Sequence, residues 1–436
     1  MADFQPFRGL RYSPATDAGA VLSPPYDVVD ADEQAALIER SPHNVIRLEL
    51  SIAGMGEAAG GRYTAPAETL REWRRSGVLA QDAQASFYVY TQEFEHEGGR
   101  RRRGALLGRL RLEPWDTGVV RPHEETGRAA KEDRLLLLRH LHANVSPLFS
   151  LYRDPAGSIG EAIGAAGEPA LDTRTPDGER HTLQVVNDAS AIERIAAVFR
   201  ETPLYIADGH HRYETALAYR DECRARAASW TGDEPENFVL MALVAADDPG
   251  LVLLPTHRLV RPPSLPNDLF ARLDRFFQVD DTTPKSYDGT ALLRLLARVA
   301  AAGNAGTAFG ALGLEEGRLH LLTLRDGAAA RALMPAGSAA WQALDVNVLE
   351  YAVLRETLGM DVLREAQDQI GAVGYTDDAR RALEEVESGR WPLAFLLNAT
   401  PVEQVLAVAD AGERMPRKST YFYPKLATGL VLYAFE

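Results

Sequence analysis

The sequence has only one cysteine, Cys223, among its 436 residues. A single thiol can form neither an internal disulfide nor a metal site built from several cysteines. Structural disulfides belong to oxidising compartments, so the lack of cysteine pairs is typical of a protein of the reducing cytoplasm. We therefore expect a cytoplasmic protein whose chemistry depends on other residue types.

Long hydrophobic runs are missing as well. The longest, such as 238–246, are far shorter than the roughly 20 apolar residues that a membrane-spanning helix needs. Residues 1–8 have neither the basic stretch nor the apolar stretch of a secretory signal. From these features we expect a protein that neither crosses a membrane nor is exported.

Positive charge is scarce relative to negative charge. Lys and Arg number 47, against 62 Asp and Glu, which gives a formal net charge of −15. A field of that sign repels nucleic-acid phosphates, so we expect a small-molecule substrate and no nucleic-acid partner. One local basic pocket is compatible with this balance, and the composition leaves the oligomeric state open.

Several common catalytic signatures are also absent. The sequence has no Gly-x-x-x-x-Gly-Lys-Ser/Thr, no Gly-x-Gly-x-x-Gly after a strand, no Gly-x-Ser-x-Gly and no His-Glu-x-x-His. These absences exclude the standard P-loop, Rossmann, α/β-hydrolase and zincin classes.

What is present predicts a mixed α/β (α+β) chain. Alternating apolar residues predict a strand at 44–50, and helical spacing predicts a helix at 64–77. Strand-like runs at 86–94 and 102–112 flank a Gly98-Gly99 turn, which predicts a hairpin. The proline-rich stretch 262–266 predicts a boundary between a mixed α/β core, 1–262, and a C-terminal α/β region, 263–436.

The strongest functional signal is a strand, a turn and a helix in the segment 203–217. Residues 204–207 are apolar, Asp208-Gly209 is a turn, and helical character follows. Glycine permits the positive φ of a tight turn, and the start of a helix offers N–H groups and the positive end of its dipole to an anion. We predict a phosphate-binding site in this turn, made of Gly209, His210, His211 and Arg212. The alternative is a buried Asp–His–Arg network that only closes the turn.

Two further segments carry groups suited to acid–base chemistry. In the Pro-His-Glu-Glu-Thr segment 122–126, Glu124 or Glu125 is a candidate base or magnesium ligand and His123 a candidate acid, with helix capping as the alternative. The Pro-Pro turn at 23–27 displays Tyr26 and Asp27, and an ordinary loop is the alternative.

Two more segments carry cations. His257 and Arg258 follow a strand and would add to the pocket, although a surface strand end would also explain them. The segment 417–425 places Lys418 and Lys425 among aromatic residues, a combination that suits the base and phosphates of a nucleotide. An alternating edge strand is the other explanation. We expect this last segment of the chain to return to the site.

Taken together, these segments resemble a bacterial and archaeal family called domain of unknown function 1015. The matching segments extend over nearly the whole chain: 6–12, 24–28, 44–47, 122–126, 144–147, 207–216, 254–258 and 418–425. This resemblance by itself implies no particular activity.

The turn is also similar to the Gly-x-x-Arg turn of the ParB and sulfiredoxin superfamily, which binds nucleotide phosphates. This resemblance implies a ParB/sulfiredoxin-like nucleotide-binding core. The superfamily includes kinases that phosphorylate free serine, and genes of the first family often lie beside serine-biosynthesis genes. A histidine stands where sulfiredoxin has its catalytic cysteine, so we do not expect sulfinic-acid repair.

We therefore predict a nucleotide-dependent phosphotransferase that acts on a small hydroxyl-bearing metabolite, with free serine as the first candidate. ATP or ADP and Mg²⁺ are the expected cofactors. The catalytic candidates are Asp208, Glu124, His123 and His210; the nucleotide-binding candidates are Gly209, His210, His211, Arg212, His257, Arg258, Lys418 and Lys425; and the magnesium candidates are Asp208 and Glu124. A metal-dependent phosphatase or other hydrolase and a non-enzymatic nucleotide-sensing switch are the alternatives.

Overall fold

A computed structural model describes residues 2–50, 61–154, 157, 159–160, 167–283, 289–360 and 371–435. The chain forms two compact units. The first unit consists of Met1–Pro122, Thr126–Leu251 and Pro424–Glu436, and the second of His123–Glu125 and Val252–Tyr423. Both contain helices and strands, so the predicted mixed α/β class is confirmed.

A nine-stranded sheet is the centre of the first unit. The strands of this unit are β1 (Phe4–Gln5), β2 (Leu10–Tyr12), β3 (Leu79–Gln81), β4 (Phe87–His96), β5 (Gly99–Arg111), β6 (Val120–Arg121), β7 (Ala143–Asn144), β8 (Leu148–Tyr152), β9 (Leu171–Arg174), β10 (Arg180–Val186), β11 (Leu204–Asp208), β12 (Phe238–Ala245) and, near the C-terminus, β21 (Tyr433–Ala434). The sheet order is β6-β11-β8-β12-β5-β4-β10-β9, and β1 pairs with β5.

The first unit also contains several helices. They are α1 (Ala18–Val21), α2 (Ala31–Arg40), α3 (Ile46–Glu49), α4 (Gly61–Arg75), α5 (Arg128–Leu141), α6 (Ala189–Glu201) and α7 (His210–Arg226), with 3₁₀ turns at Tyr26–Val28, Trp115–Thr117 and Pro235–Asn237. Phe199 of α6 and Tyr213 of α7 are fully buried in the same apolar core as Phe4. Tyr213 also donates its hydroxyl proton to the Glu113 carbonyl oxygen at 2.9 Å. These contacts fix the first turn of α7 against the sheet.

The second unit has a six-stranded sheet in the order β15-β17-β16-β19-β14-β18. Its strands are β13 (Val252–Leu254), β14 (His257–Val260), β15 (Phe277–Asp281), β16 (Ala308–Leu312), β17 (Leu319–Leu324), β18 (Val373–Thr376), β19 (Leu393–Leu396) and β20 (Tyr421–Tyr423). Its helices are α8 (Leu269–Asp274), α9 (Gly289–Gly303), α10 (Gly327–Ala332), α11 (Ala339–Gln342), α12 (Asp345–Val348), a π-helix (Leu349–Thr357), α13 (Ala379–Glu387) and α14 (Val402–Asp410).

The predicted hairpin is confirmed, and the predicted strand at 44–50 is wrong. Strands β4 and β5 pair in antiparallel fashion up to His96 and Gly99, and Gly98 has a φ of 73° in the turn. Residues 46–49 are helical because the Asn44 side chain accepts from the Ile46 amide at 3.0 Å and donates to the Ala20 carbonyl at 2.9 Å. A local side-chain bond of this kind offers the backbone an alternative to a strand ladder.

The division between the units falls earlier than the predicted boundary at 262 and 263. The second unit already begins at Val252, because β14 (His257–Val260) pairs with β18 and β19 of its sheet. The proline-rich stretch 262–266 therefore lies inside the second unit. Across the described ranges, no helix combines the length and the apolar character needed to cross a membrane.

Candidate functional site

The predicted strand, turn and helix at 203–217 are confirmed. Strand β11 pairs with β6 on one side and with β8 on the other, and it ends at Asp208. Gly209 follows with a φ of 94°, and the 17-residue helix α7 begins at His210. The Tyr213 amide makes the first bond of the helix, to the Gly209 carbonyl at 2.9 Å. The three amides before it have no acceptor within the helix and point outward from its start.

Only glycine suits position 209. Its φ lies in the left-handed region, where a side chain is strained. A Cβ atom added there would lie 3.1 Å from Leu148 Cγ and 3.1 Å from Arg212 Nη2. The turn therefore needs both the conformational freedom and the small size of glycine.

Asp208 is held between two cations at the end of β11. Lys425 Nζ lies 2.5 Å from Asp208 Oδ1, and Arg212 Nη2 lies 2.9 Å from Asp208 Oδ2. Burial alone would raise the pKa of Asp208, but Lys425 and Arg212 outweigh it and hold the pKa well below its usual range. Two cations therefore contact this one carboxylate beside the start of α7.

Arg212 also links the turn to the segment 144–147. Its Nη1 donates to Ser146 Oγ at 2.9 Å and to the Pro147 carbonyl oxygen at 3.0 Å. The turn is thus partly buried. Burial lowers the pKa of Arg212, but the charges of Asp208 and Asp27 outweigh that effect and raise it. The structure therefore brings the segments 23–27, 144–147 and 208–212 together. Arg212 holds the turn closed and also gives it a positive charge.

A second charged pair lies next to Arg212. Arg134 of α5 contacts the Glu49 carboxylate at 3.2 Å, and its guanidinium lies 4.0 Å from the centre of the Tyr26 ring. Burial raises the pKa of Tyr26 to about 12. Glu49, Arg134, Ser146 and Arg212 are among the residues around a cavity of about 50 Å³, which is room for water rather than for a metabolite. Glu49 was missed in the sequence, because its segment was predicted to be a strand.

The two histidines of the turn differ in their surroundings. His211 Nε2 accepts a hydrogen bond from the Gly127 amide at 2.7 Å, so this nitrogen carries no proton to donate to a phosphate. His210 is buried, and its charge contributes to the low pKa of Asp208. One turn further along α7, Glu214 accepts from Thr126 Oγ1 at 2.7 Å and from Lys131 Nζ at 2.9 Å. Sequence analysis missed Glu214, since nothing in its spacing distinguishes it from a surface glutamate.

His123, Glu124 and Lys418 belong to the second unit. His123 Nε2 and Thr420 Oγ1 share a hydrogen bond of 2.9 Å, and Glu124 Oε1 accepts from the Lys418 amide at 2.9 Å. Lys418 has a φ of 60°, which is uncommon for a residue with a side chain. Residues 123–124 and 418–420, almost three hundred residues apart in sequence, are therefore joined within this unit.

His257 and Arg258 are buried in the second unit. His257 Nδ1 accepts from the Leu397 amide at 3.1 Å, and burial lowers the pKa of His257 to about 4. Arg258 donates to the Thr256 carbonyl oxygen at 2.6 Å, and its guanidinium lies 4.9 Å from the centre of the Tyr375 ring. Burial also lowers the pKa of Arg258. Both side chains thus lie inside the unit, not at a surface strand end.

The magnesium assignment of Asp208 and Glu124 stays a prediction. Both oxygens of Asp208 already accept from cations, so a metal ion would have to displace Lys425 or Arg212. In the part of the chain that the structure describes, no three His, Cys, Asp or Glu side chains are grouped so as to hold a metal ion.

The fold and the turn define a mixed α/β protein in which two cations lie at the start of the helix that follows β11 of its main sheet. The family model described as protein of unknown function, DUF1015, matches residues 4–347. The chain belongs to this family, as the resemblance of its motifs predicted.

Solved structures give only distant similarities. A mutant of free serine kinase in complex with AMP is 13% identical, with 72% of this chain and 89% of that chain covered and a TM-score of 0.35. Another mutant of free serine kinase, in complex with ADP, is 14% identical over the same shares, also with a TM-score of 0.35. A conserved hypothetical protein from Pyrococcus furiosus is 15% identical, with 72% and 92% covered and a TM-score of 0.34. No curated protein sequence matches the chain.

Proposed function

We propose that the protein binds the phosphates of a nucleotide, ATP or ADP, at the start of helix α7 and transfers a phosphoryl group to a small hydroxyl-bearing metabolite. The observation that carries this proposal is the group of Asp208, Lys425 and Arg212 beside the Gly209 turn. Free serine is the first acceptor to test, because the turn resembles that of the ParB and sulfiredoxin superfamily.

The proposal follows from what a phosphate requires. A polyphosphate is stabilised by N–H groups at a helix start and by cations that do not lose their protons. The first turn of α7 supplies the first, and Lys425 and Arg212, which both contact Asp208, supply the second. Phosphoryl transfer depends mainly on positioning and on neutralising charge, and both are features of this group.

The low pKa of Asp208 favours a positioning role over a role as general base. A carboxylate that holds its charge so firmly is a weak acceptor of a proton at neutral pH. In this proposal Asp208 orients Lys425 and Arg212 toward the phosphates. His210, His123 and Glu124 stay the candidates for acid–base chemistry. Magnesium would supply further charge neutralisation if it is required.

Calorimetry of ATP binding tests the phosphate site. Lys425→Met keeps a long side chain but removes the charge, and it should weaken ATP binding roughly 10- to 100-fold, the usual effect of a charge-assisted hydrogen bond. Arg200→Met is the matched control, since Arg200 is an exposed cation near the end of α6. Equal affinities of wild type and Lys425→Met would remove Lys425 from the site.

An assay of the wild-type protein with ATP, Mg²⁺, serine and a panel of small alcohols tests the transfer step. We expect a phosphorylated acceptor in amounts equal to the ADP formed. Phosphate release without a phosphorylated acceptor would replace the transferase by a hydrolase. Binding of ATP without turnover on any acceptor would favour a nucleotide-sensing switch.

A further inference from the structure

A buried polar network lies behind Lys425, on the neighbouring strands of the first-unit sheet. Gln92 of β4 donates from Nε2 to the Lys425 carbonyl oxygen at 3.0 Å and to Glu179 Oε2 at 2.7 Å. Arg103 of β5 donates from Nη2 to Gln92 Oε1 at 2.5 Å and to the Pro424 carbonyl oxygen at 2.6 Å. Gln92 and Arg103 are each only 1% exposed.

These bonds converge on the backbone of two consecutive residues, Pro424 and Lys425. These two residues begin the final segment of the chain, 424–436, which belongs to the first unit although it follows the second unit in sequence. A side chain on such a segment is far from its partners in sequence and depends on its backbone being anchored. Buried side chains of this kind are costly unless they are hydrogen-bonded, and here both are bonded to the segment that carries Lys425.

We propose that Gln92 and Arg103 are positioning residues that hold the backbone at Pro424 and Lys425 so that the Lys425 ammonium reaches Asp208 and the bound phosphates, and that Glu179 makes this hold depend on pH. The inference rests on the proposed phosphate site. It adds a regulation of that site that the turn itself does not contain.

Glu179 is the titratable member of the network. Its carboxylate accepts from Gln92, His181 Nε2 lies 3.8 Å from it, and the charges of Asp177 and Arg103 act on it. Burial raises the pKa of Glu179 to about 7. Above that pH the carboxylate binds the Gln92 amide through a charge-assisted bond, and below it the neutral acid binds Gln92 more weakly. Nucleotide affinity should therefore fall as Glu179 becomes protonated.

The test is a double-mutant cycle at pH 8 on the full-length protein, with Gln92→Leu, Lys425→Met and the double variant. ATP with Mg²⁺ is the probe, and calorimetry measures affinity. Gln92→Leu alone should weaken binding roughly 3- to 10-fold, as the loss of a neutral hydrogen bond does, and should add no further loss in the Lys425→Met background. Thr91→Val, a buried change at the preceding position of β4, is the control and should bind ATP as the wild type does.

Three outcomes overturn the inference, and one of them is shared with the proposed function. Unchanged affinity in Gln92→Leu, or the same loss in both backgrounds, would make Gln92 merely structural while Lys425 stayed in the site. A wild type that does not bind ATP would overturn the proposed function and this inference with it.

Glu179→Gln provides a second test that does not depend on the folding of Gln92→Leu. It resembles the protonated acid, so it should bind ATP more weakly than the wild type at pH 8 and equally at pH 6. The comparison of the two proteins cancels the titration of the nucleotide itself. A ratio of affinities that is the same at both pH values would contradict the role of Glu179.

Discussion

Asp208 is the residue on which the site depends, because it accepts from two cations at once. Its neighbour Arg212 is four residues away on the next helix, and the sequence predicted that the two would be close. Lys425 is 217 residues away, and no local pattern could have paired it with Asp208. Lys425 was predicted as a site residue only for its aromatic and cationic surroundings. The pairing itself depends on how the last segment of the chain folds back.

Histidine roles were equally hard to predict from the sequence. His211 was predicted to belong to the phosphate site, and its Nε2 accepts from the Gly127 amide, which leaves Nδ1 as the nitrogen that can donate. Residue type gives the possible protonation states of an imidazole, and only the neighbours decide which nitrogen carries the proton. Hydrogen-bond partners from distant segments are therefore the part of a site that a single sequence leaves undefined.

The pH dependence of stability tests the Asp208 group. The folded pKa of Asp208 lies below the unfolded value, so its ion pairs stabilise the fold above the unfolded pKa and lose this effect as the pH falls toward the folded pKa. Asp208→Asn should lower the free energy of unfolding by about 3–5 kcal/mol at pH 7, because it leaves two cations uncompensated. The difference from the wild type should shrink as the pH falls below about 4, since the unfolded carboxyl becomes protonated near that pH.

Urea denaturation at several pH values would measure this difference. Asp116→Asn is the control, since Asp116 is exposed, and it should stay within about 0.5 kcal/mol of the wild type. A difference for Asp208→Asn that does not change with pH would contradict the ion-pair account.

At the scale of elements, the strand, turn and helix of the site were predictable and the fold around them was less so. Apolar residues followed by Asp-Gly and a helical pattern define β11, the turn and α7 by local rules alone. Alternation at 44–50 was misleading, because the Asn44 side chain bonds the local backbone and starts α3. The hydrogen bonds of this one polar side chain thus outweighed the alternating pattern of the seven residues 44–50.

Gly209→Ala tests whether the turn needs glycine. The new methyl group would meet a positive φ and also Leu148 and Arg212 at 3.1 Å. We expect the free energy of unfolding to fall by roughly 2–3 kcal/mol and ATP binding to weaken, because Arg212 has to move. Chemical denaturation and calorimetry measure the two effects.

Gly118→Ala separates crowding from backbone strain. Gly118 has a φ of 67°, but an added Cβ there meets nothing within 4 Å. Gly118→Ala should therefore lower the free energy of unfolding only by the cost of a left-handed backbone, about 1 kcal/mol, and leave ATP binding unchanged. Equal losses of stability in the two variants would show that the space around Gly209 is not restricted.

At the scale of the whole molecule, a chain with a net charge of −15 still places two cations on one carboxylate, that of Asp208. The acidic composition is compatible with such a group, because net charge describes the long-range field and not a single buried group. The fold class and the family followed from motifs that extend along the chain. The boundary between the units did not follow from such a motif, because proline-rich stretches also occur within a unit, as at 262–266.

The central claim, that phosphates bind at the start of α7, is tested most directly by nuclear magnetic resonance of the isotope-labelled protein. The amide signals of Gly209, His210 and His211 should shift when ATP and Mg²⁺ are added and should not shift with adenosine, which has the same base and ribose but no phosphate. The reason is that a phosphate bound at the start of a helix accepts from the N–H groups of its first turn, whereas adenosine has no such anion. Signals that stay in place while ATP binds elsewhere on the protein would contradict the account.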